Sequence, residues 1–92
     1  MGLDNSASAV MQSEQIKRLI EQGVAGARVS VAGDGQHFEA IVVSELFANK
    51  TMVQQHQLVY EALGERMGGE IHALSLRTYT PEQWLEQHGR IE

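Results

Sequence analysis

The four histidines are the side chains of this chain best suited to binding a metal, because the sequence contains no cysteine. The lack of cysteine excludes disulfides, thiolate nucleophiles and any cysteine-ligated metal site formed by this chain alone. His37 and His72 each follow a glycine-containing turn at the predicted start of a strand, where a partner can approach. Two histidines do not complete a site for any common metal, so such a site would need ligands from elsewhere.

The other two histidines have different surroundings. His56 lies on the apolar stripe of a predicted helix, which favours a packed, hydrogen-bonded side chain over a metal ligand. His88 lies in the polar tail, where we expect it to be solvated. We therefore base the metal hypothesis on His37 and His72.

Enzyme chemistry has little support in the sequence. It contains no nucleophile elbow, P-loop, dinucleotide-binding glycine motif or zinc-protease motif. Acidic residues such as Glu39 and Glu45 have no spacing that marks a catalytic acid and base, and solvated surface explains them. We expect a protein that is not an enzyme.

The charge balance also argues against a general nucleic-acid binder. Seven basic and twelve acidic side chains give a net charge of −5, the wrong sign for binding mainly through phosphate neutralisation. Lys50 and Arg77 are the candidate phosphate contacts. Gln54, Gln55 and Gln57 occupy a predicted helix surface where a nucleic-acid reader commonly carries Arg or Lys.

The N-terminal half of the domain is predicted to be a helix followed by two strands. Ile16, Leu19 and Ile20 have helical spacing after Ser13, and Gly23 supplies a stop. Residues 27–31 alternate with period two, and the turn cluster 33–36 leads into a β-branched second strand, 37–44. That strand suits a central position in a small sheet.

A long helix, a strand and a short helix are predicted to follow. Thr51 and Gln54 form a capping box at the start of the long helix, which should end at residues 68–69. A third strand is predicted over 71–78, and the segment 80–83 caps a last helix that contains Trp84, a packing anchor. The predicted apolar stripe of the long helix consists of Met52, His56, Val59, Tyr60, Leu63 and Met67.

The predicted order α-β-β-α-β-α gives a two-layer α+β domain with a three-stranded mixed sheet. A strand-helix-strand connection within one sheet is almost always right-handed, so the second and third strands should be parallel. Their starts, with His37 and His72, then lie at the same end of the sheet. The imidazoles can converge if the strands are neighbours about 4.8 Å apart, whereas an intervening first strand roughly doubles the gap.

Length and hydropathy limit the organisation of the chain. Its 92 residues hold one domain, which we place at residues 13–92 after a flexible N-terminal leader, 1–12. The longest apolar run, 40–43, is far shorter than the roughly 18 residues of a membrane span, so we expect a cytoplasmic protein with no membrane contact.

Several separated blocks of the sequence follow one another in a characteristic order. They are HFEAIVVSELF (37–47), IHALS (71–75) and TPEQW (80–84), with Lys50, His56, Val59 and Tyr60 between them. These blocks resemble the BolA family, and the 33–38 segment and the Tyr-Thr-Pro ending of the third strand resemble its IbaG branch. The resemblance covers roughly residues 13–88 and implies a class II KH-like (BolA-like) domain without the phosphate-binding loop of KH domains.

The resemblance implies pairing with a monothiol glutaredoxin and a shared [2Fe–2S] cluster, to which the partner gives a cysteine thiolate and glutathione. His72 matches the family's C-terminal ligand histidine. The family's second ligand comes from the loop between the first two strands, here 33–36 without His or Cys, so His37 at its edge is the available substitute. The chain would be an adaptor in iron–sulfur trafficking or iron and stress sensing, and a cofactor-free monomer or weak homodimer when isolated.

The same resemblance implies an alternative function as a DNA-binding transcriptional regulator of stress responses. In that role the KH-like helix region, with Lys50 and Arg77 as candidate contacts, would bind DNA. The sequence has Asn49, Gln55 and Gln57 where many relatives carry Gly, Arg and Arg. The loss of two cations favours the adaptor hypothesis.

Overall fold

The helices and strands follow the order predicted from the sequence, and the α+β class is confirmed. A computed structural model describes residues 12–67, 71 and 73–88. The leader predicted at residues 1–12 therefore lies outside the described residues except for Gln12, and so does His72. The elements are α1 (Ser13–Gly23), β1 (Arg28–Gly33), β2 (His37–Val43), α2 (Met52–Leu63), β3 (Ala73–Tyr79) and α3 (Pro81–His88), with 3-10 turns at Glu45–Phe47 and Gly64–Arg66.

The three strands form one mixed sheet in the order β1-β2-β3. The central strand, β2, is antiparallel to β1 and parallel to β3. This confirms the prediction that the second and third strands are parallel and makes β2 and β3 direct neighbours. The arrangement with β1 between them is excluded.

One face of the sheet carries the hydrophobic core beneath α1 and α2. Strand alternation brings Val42 opposite Val29 and Phe38 opposite Leu74 on this face. Ile16 and Ile20 of α1 and Val59 and Leu63 of α2 are completely buried against the strands, as is Phe47 of the first 3-10 turn. The other face is more open, and α3 lies along part of it.

The two core helices approach each other closely at Gly23. A β-carbon built at Gly23 would overlap the side chain of Ala62 and come within 2.9 Å of its Cα. Glycine is therefore required here by the packing of α1 against α2.

Helix α2 begins as predicted but ends earlier. The backbone N–H of Gln54 donates to the Thr51 hydroxyl at 3.1 Å, and the N–H of Thr51 donates to the Gln54 side chain at 2.9 Å, which completes the predicted capping box. The helix ends at Leu63 because Gly64 adopts φ +62°, a left-handed conformation that glycine reaches at little cost.

The predicted apolar stripe of α2 is wrong in part. The buried residues of this helix are Gln55, Val59 and Leu63, whereas Met52 is 68% and Tyr60 39% exposed. Hydrogen bonds satisfy the Gln55 amide in the interior. The first buried position of α2 is therefore occupied by this polar residue, whereas the apolar pattern had predicted Met52 there.

The last strand and helix differ little from prediction. β3 begins at Ala73 and extends to Tyr79, while the buried Ile71 forms an isolated parallel bridge with Met67. Reciprocal hydrogen bonds between Thr80 and Gln83, at 2.9 and 3.1 Å, cap α3 as predicted. Among the residues that the structure describes, no helix has the length and apolar character to cross a bilayer.

Candidate functional site

His37 begins β2 at an exposed end of the sheet, and the preceding turn fixes its backbone. One Asp34 carboxylate oxygen accepts hydrogen bonds from the backbone N–H groups of His37 and Gln36, each at 2.9 Å. Gly35 supplies the positive φ, +98°, that this tight turn needs. The hydrogen bond from the His37 backbone, followed by that from Gln36, lowers the pKa of Asp34, and attraction to the His37 imidazole adds to this effect.

The parallel register places Ala73 directly opposite His37. The two histidines were expected to converge only if their strands are neighbours. His72 directly precedes Ala73 in the chain, and β2 and β3 are neighbours, so the strands meet this condition. His72 itself lies outside the described residues. We name this end of the sheet, with His37, Asp34 and Ala73, the histidine edge.

The described side chains of the histidine edge can supply some, but not all, of the ligands of a metal site. The exposed His37 side chain forms no hydrogen bond with any described residue, so its imidazole is available as a donor. Within residues 12–67, 71 and 73–88, no group of three or more His, Cys, Asp or Glu side chains could hold a metal ion. A metal group at this edge would therefore take further ligands from outside the described residues.

The remaining two described histidines pack against aromatic rings. His56 is half-buried and meets Tyr60 edge-on, with ring centroids 6.3 Å apart. This packing is as predicted, although the His56 side chain forms no hydrogen bond with a described residue. His88 is exposed, as predicted, and stacks on Trp84 with centroids 3.9 Å apart and planes inclined by 20°.

The stack of His88 on Trp84 belongs to an aromatic cluster that the sequence interpretation missed. Tyr79, at the end of β3, meets Trp84 edge-on at 5.3 Å and His88 at 5.6 Å between centroids. The helical i, i+4 spacing of Trp84 and His88 after a strong cap is the signal that would have revealed it. The cluster fastens α3 to the end of β3.

The candidate phosphate contacts lie in different layers of the domain. Lys50 is exposed just before the N-cap of α2, in the helical layer. Arg77 is exposed on β3 opposite Ile41, and strand alternation puts this pair on the face away from α1 and α2. The structure does not bring these two cations together.

Gln55 is a structural residue and does not belong to the surface of α2. Its amide nitrogen donates to the backbone oxygens of Phe47 at 3.0 Å and Lys50 at 3.2 Å, and its oxygen accepts from the Thr78 hydroxyl at 2.6 Å. The prediction that Gln55 lies on the surface is therefore wrong. Its i, i+4, i+8 relation to Val59 and Leu63 is the signal that places it on the buried face.

Asn49 keeps a backbone conformation that usually favours glycine. Its φ is +64°, the left-handed region, which asparagine tolerates better than most residues. Asparagine, where many relatives carry glycine, therefore preserves the turn before α2.

Comparisons with known proteins agree with this architecture. The family model of BolA-like proteins matches residues 11–83. The acid stress protein IbaG of Escherichia coli K12 is 37% identical over 75 residues, which cover 80% of this chain and 89% of the relative. The BolA homologue of Coxiella burnetii is 48% identical with a TM-score of 0.74, covering 80% of this chain and 96% of that structure.

A further relative has a name that specifies a function. The DNA-binding transcriptional regulator BolA of Haemophilus influenzae is 43% identical over 59 residues, which cover 64% of this chain and 57% of the relative. The similar proteins thus include both a stress protein and a transcriptional regulator.

Proposed function

The chain belongs to the BolA-like family, and we propose that it is a cytoplasmic, non-enzymatic adaptor that pairs with a monothiol glutaredoxin to share a [2Fe–2S] cluster. His72 and His37 are the proposed ligands from this chain. The glutaredoxin supplies a cysteine thiolate and binds glutathione, which completes the ligand set. The complex would serve iron–sulfur trafficking or the sensing of iron and stress.

The pairing of His37 with Ala73 is the observation that carries this proposal. It makes the strand that follows His72 a direct neighbour of the strand that begins with His37. The His37 ring is exposed and forms no hydrogen bond with the described residues, so a partner could reach it without breaking the fold.

The turn before β2 supports a positioning role for Asp34. Its carboxylate fixes the backbone of His37 through the 2.9 Å hydrogen bond and leaves the imidazole nitrogens unused. Neutral imidazole ligands make a cluster less negatively charged than thiolates do and raise its reduction potential. Because the chain has no cysteine, its contribution would be to modulate a cluster that the partner also holds.

The test is anaerobic co-expression with a monothiol glutaredoxin in the presence of glutathione. We expect a coloured heterodimer whose visible circular dichroism changes strongly in His72→Ala and measurably in His37→Ala. His88→Ala is the matched control, because His88 contacts Tyr79 at the other end of β3, roughly 20 Å from the histidine edge. Identical spectra for the native chain and the two edge variants would contradict the proposed ligands.

DNA binding is the second candidate function, favoured by the name of the Haemophilus influenzae relative. In this chain it would depend on Lys50 and Arg77, which lie in different layers. A phosphate-driven complex should weaken steeply with salt, and Lys50→Ala or Arg77→Ala should lower the salt dependence. The absence of any mobility shift at low salt would exclude this function.

A further inference from the structure

An open groove of about 1000 Å³ lies on the sheet face opposite α1 and α2. Ile41 and Val43 of β2 form part of its floor, and Trp84 and Leu85 of α3 form a wall. Its lining is mainly apolar. The groove lies toward the end of β2 away from His37, so it is separate from the histidine edge.

The apolar surface of the groove remains accessible. Leu85 is 64% and Leu46 44% exposed, although both line the same concave surface. Ile41, Val43 and Trp84 are each half-buried. Contiguous exposed apolar surface is unusual in a soluble domain and often marks a binding site.

The charges at the groove restrict the chemistry of its occupant. Among the described residues that line it, Arg28 is the one cation and Glu45 the one anion. The Arg28 guanidinium forms neither a hydrogen bond nor an ion pair with any described residue. It is therefore an unused, permanently charged donor beside apolar surface, in a chain whose net charge is −5.

We propose that this groove binds a small amphiphilic carboxylate, whose chain lies along Ile41 and Trp84 and whose carboxylate pairs with Arg28. An arginine matches a carboxylate with two parallel hydrogen bonds, which fixes the orientation of the ligand. The hydrocarbon chain of the ligand covers Leu85 and Leu46 and removes them from water. The Glu45 carboxylate repels the carboxylate of the ligand and so limits the affinity.

The probes are octanoate, decanoate and neutral octan-1-ol, used with the full chain at concentrations below micelle formation. The chain has a single tryptophan, Trp84, so its fluorescence reports occupancy of the groove directly. We expect saturable binding of octanoate, roughly tenfold tighter binding of decanoate from its two added methylenes, and weaker binding of octan-1-ol.

Charge variants separate a specific site from general adsorption. Arg28→Gln should weaken octanoate binding at least fivefold and leave octan-1-ol unchanged, while Arg28→Lys should retain part of the preference for the anion. Glu45→Gln should tighten octanoate binding. Arg18→Gln is the matched control, because Arg18 is an exposed arginine of α1, on the opposite face of the sheet, and does not line the groove.

Three results would overturn the proposal. The first is the absence of a saturable Trp84 response to octanoate or decanoate. The second is an equal loss of octanoate and octan-1-ol binding in Arg28→Gln while circular dichroism shows an intact fold. The third is a dimer in sedimentation in which Trp84 is also protected from a soluble fluorescence quencher, which would assign the groove to a second copy of the chain.

Discussion

The hydroxyl of Thr78 donates a 2.6 Å hydrogen bond to the side-chain oxygen of Gln55 and so joins β3 to α2. The same glutamine amide donates to two backbone oxygens in the segment before the helix, those of Phe47 and Lys50. One buried side chain of α2 therefore links the loop that follows β2, the first turns of α2 and the last strand, β3. Its presence in the core explains the rotation of α2 relative to the predicted stripe.

Replacement of Gln55 should destabilise the domain. Gln55→Ala leaves the Thr78 hydroxyl and two carbonyl groups without this partner, so we expect a loss of about 1–3 kcal/mol in the free energy of unfolding. Urea unfolding followed by circular dichroism measures it. Gln57→Ala removes an exposed glutamine of the same helix and should change stability by less than about 0.5 kcal/mol. Equal effects of the two substitutions would contradict the structural role of Gln55.

Gly23→Ala should also destabilise the domain, although alanine is the better helix former. The added methyl group overlaps Ala62, and the backbone of α2 lies too close to yield easily. We expect a cost of about 1–3 kcal/mol by urea unfolding, as for other overpacked sites. Ala62→Gly in the Gly23→Ala background should recover part of it. A Gly23→Ala protein as stable as the native chain would show that the two helices can separate freely.

The Asp34 turn should contribute stability that depends on pH. Because hydrogen bonding lowers the pKa of Asp34 in the folded chain, its contribution is fully present above the ordinary value of 3.8 and is lost as the pH falls through the lower folded value. Unfolding free energies measured from pH 7 down to about pH 2 should therefore decline less in Asp34→Asn, which keeps an acceptor oxygen but does not titrate.

Asp34→Ala provides the complementary control for that turn. It removes the acceptor as well as the charge, so it should be less stable than Asp34→Asn even at neutral pH. The same acid decline in the native chain and in both variants would show that the Asp34 carboxylate contributes nothing to the folded state.

The fluorescence of Trp84 should depend on the ring of His88. The two rings are stacked with centroids 3.9 Å apart, so the imidazole covers one face of the indole. His88→Ala uncovers that face to water, and we expect the emission maximum of Trp84 to shift to longer wavelength. His56→Ala, which removes a histidine that contacts Tyr60 on α2, should leave the emission unchanged. An identical emission spectrum for the native chain and His88→Ala would contradict the stack.

The sequence was sufficient for the features that depend on local patterns or general topology. Thr51 with Gln54 and Thr80 with Gln83 predicted both helix starts, because capping boxes involve residues three apart. The parallel arrangement of β2 and β3 was predicted from the strand-helix-strand connection, whereas their neighbouring position and the pairing of His37 with Ala73 came only from the structure. These predictions required no knowledge of side-chain packing.

The features that sequence reasoning missed depend on distant partners. Gln55 is buried because Thr78, far along the chain, supplies a hydrogen-bond donor, whereas hydropathy alone favours Met52 at the interface. The end of α2 required a choice between Gly64 and later glycines, all of which can stop a helix. The groove involves Arg28 and Leu85, which only the tertiary fold brings together. The ligand role of His72 stays a prediction.

The order of the strands has a consequence for biosynthesis. The middle strand, β2, leaves the ribosome with only β1 beside it, and β3 follows after the whole of α2 has been made. The nascent chain therefore exposes one unsatisfied side of β2, including the backbone near Phe38 and Ala40, until β3 has been made. Chaperone capture in this interval would protect the newborn polypeptide from aggregation through that open side, whereas slow translation would prolong the exposure.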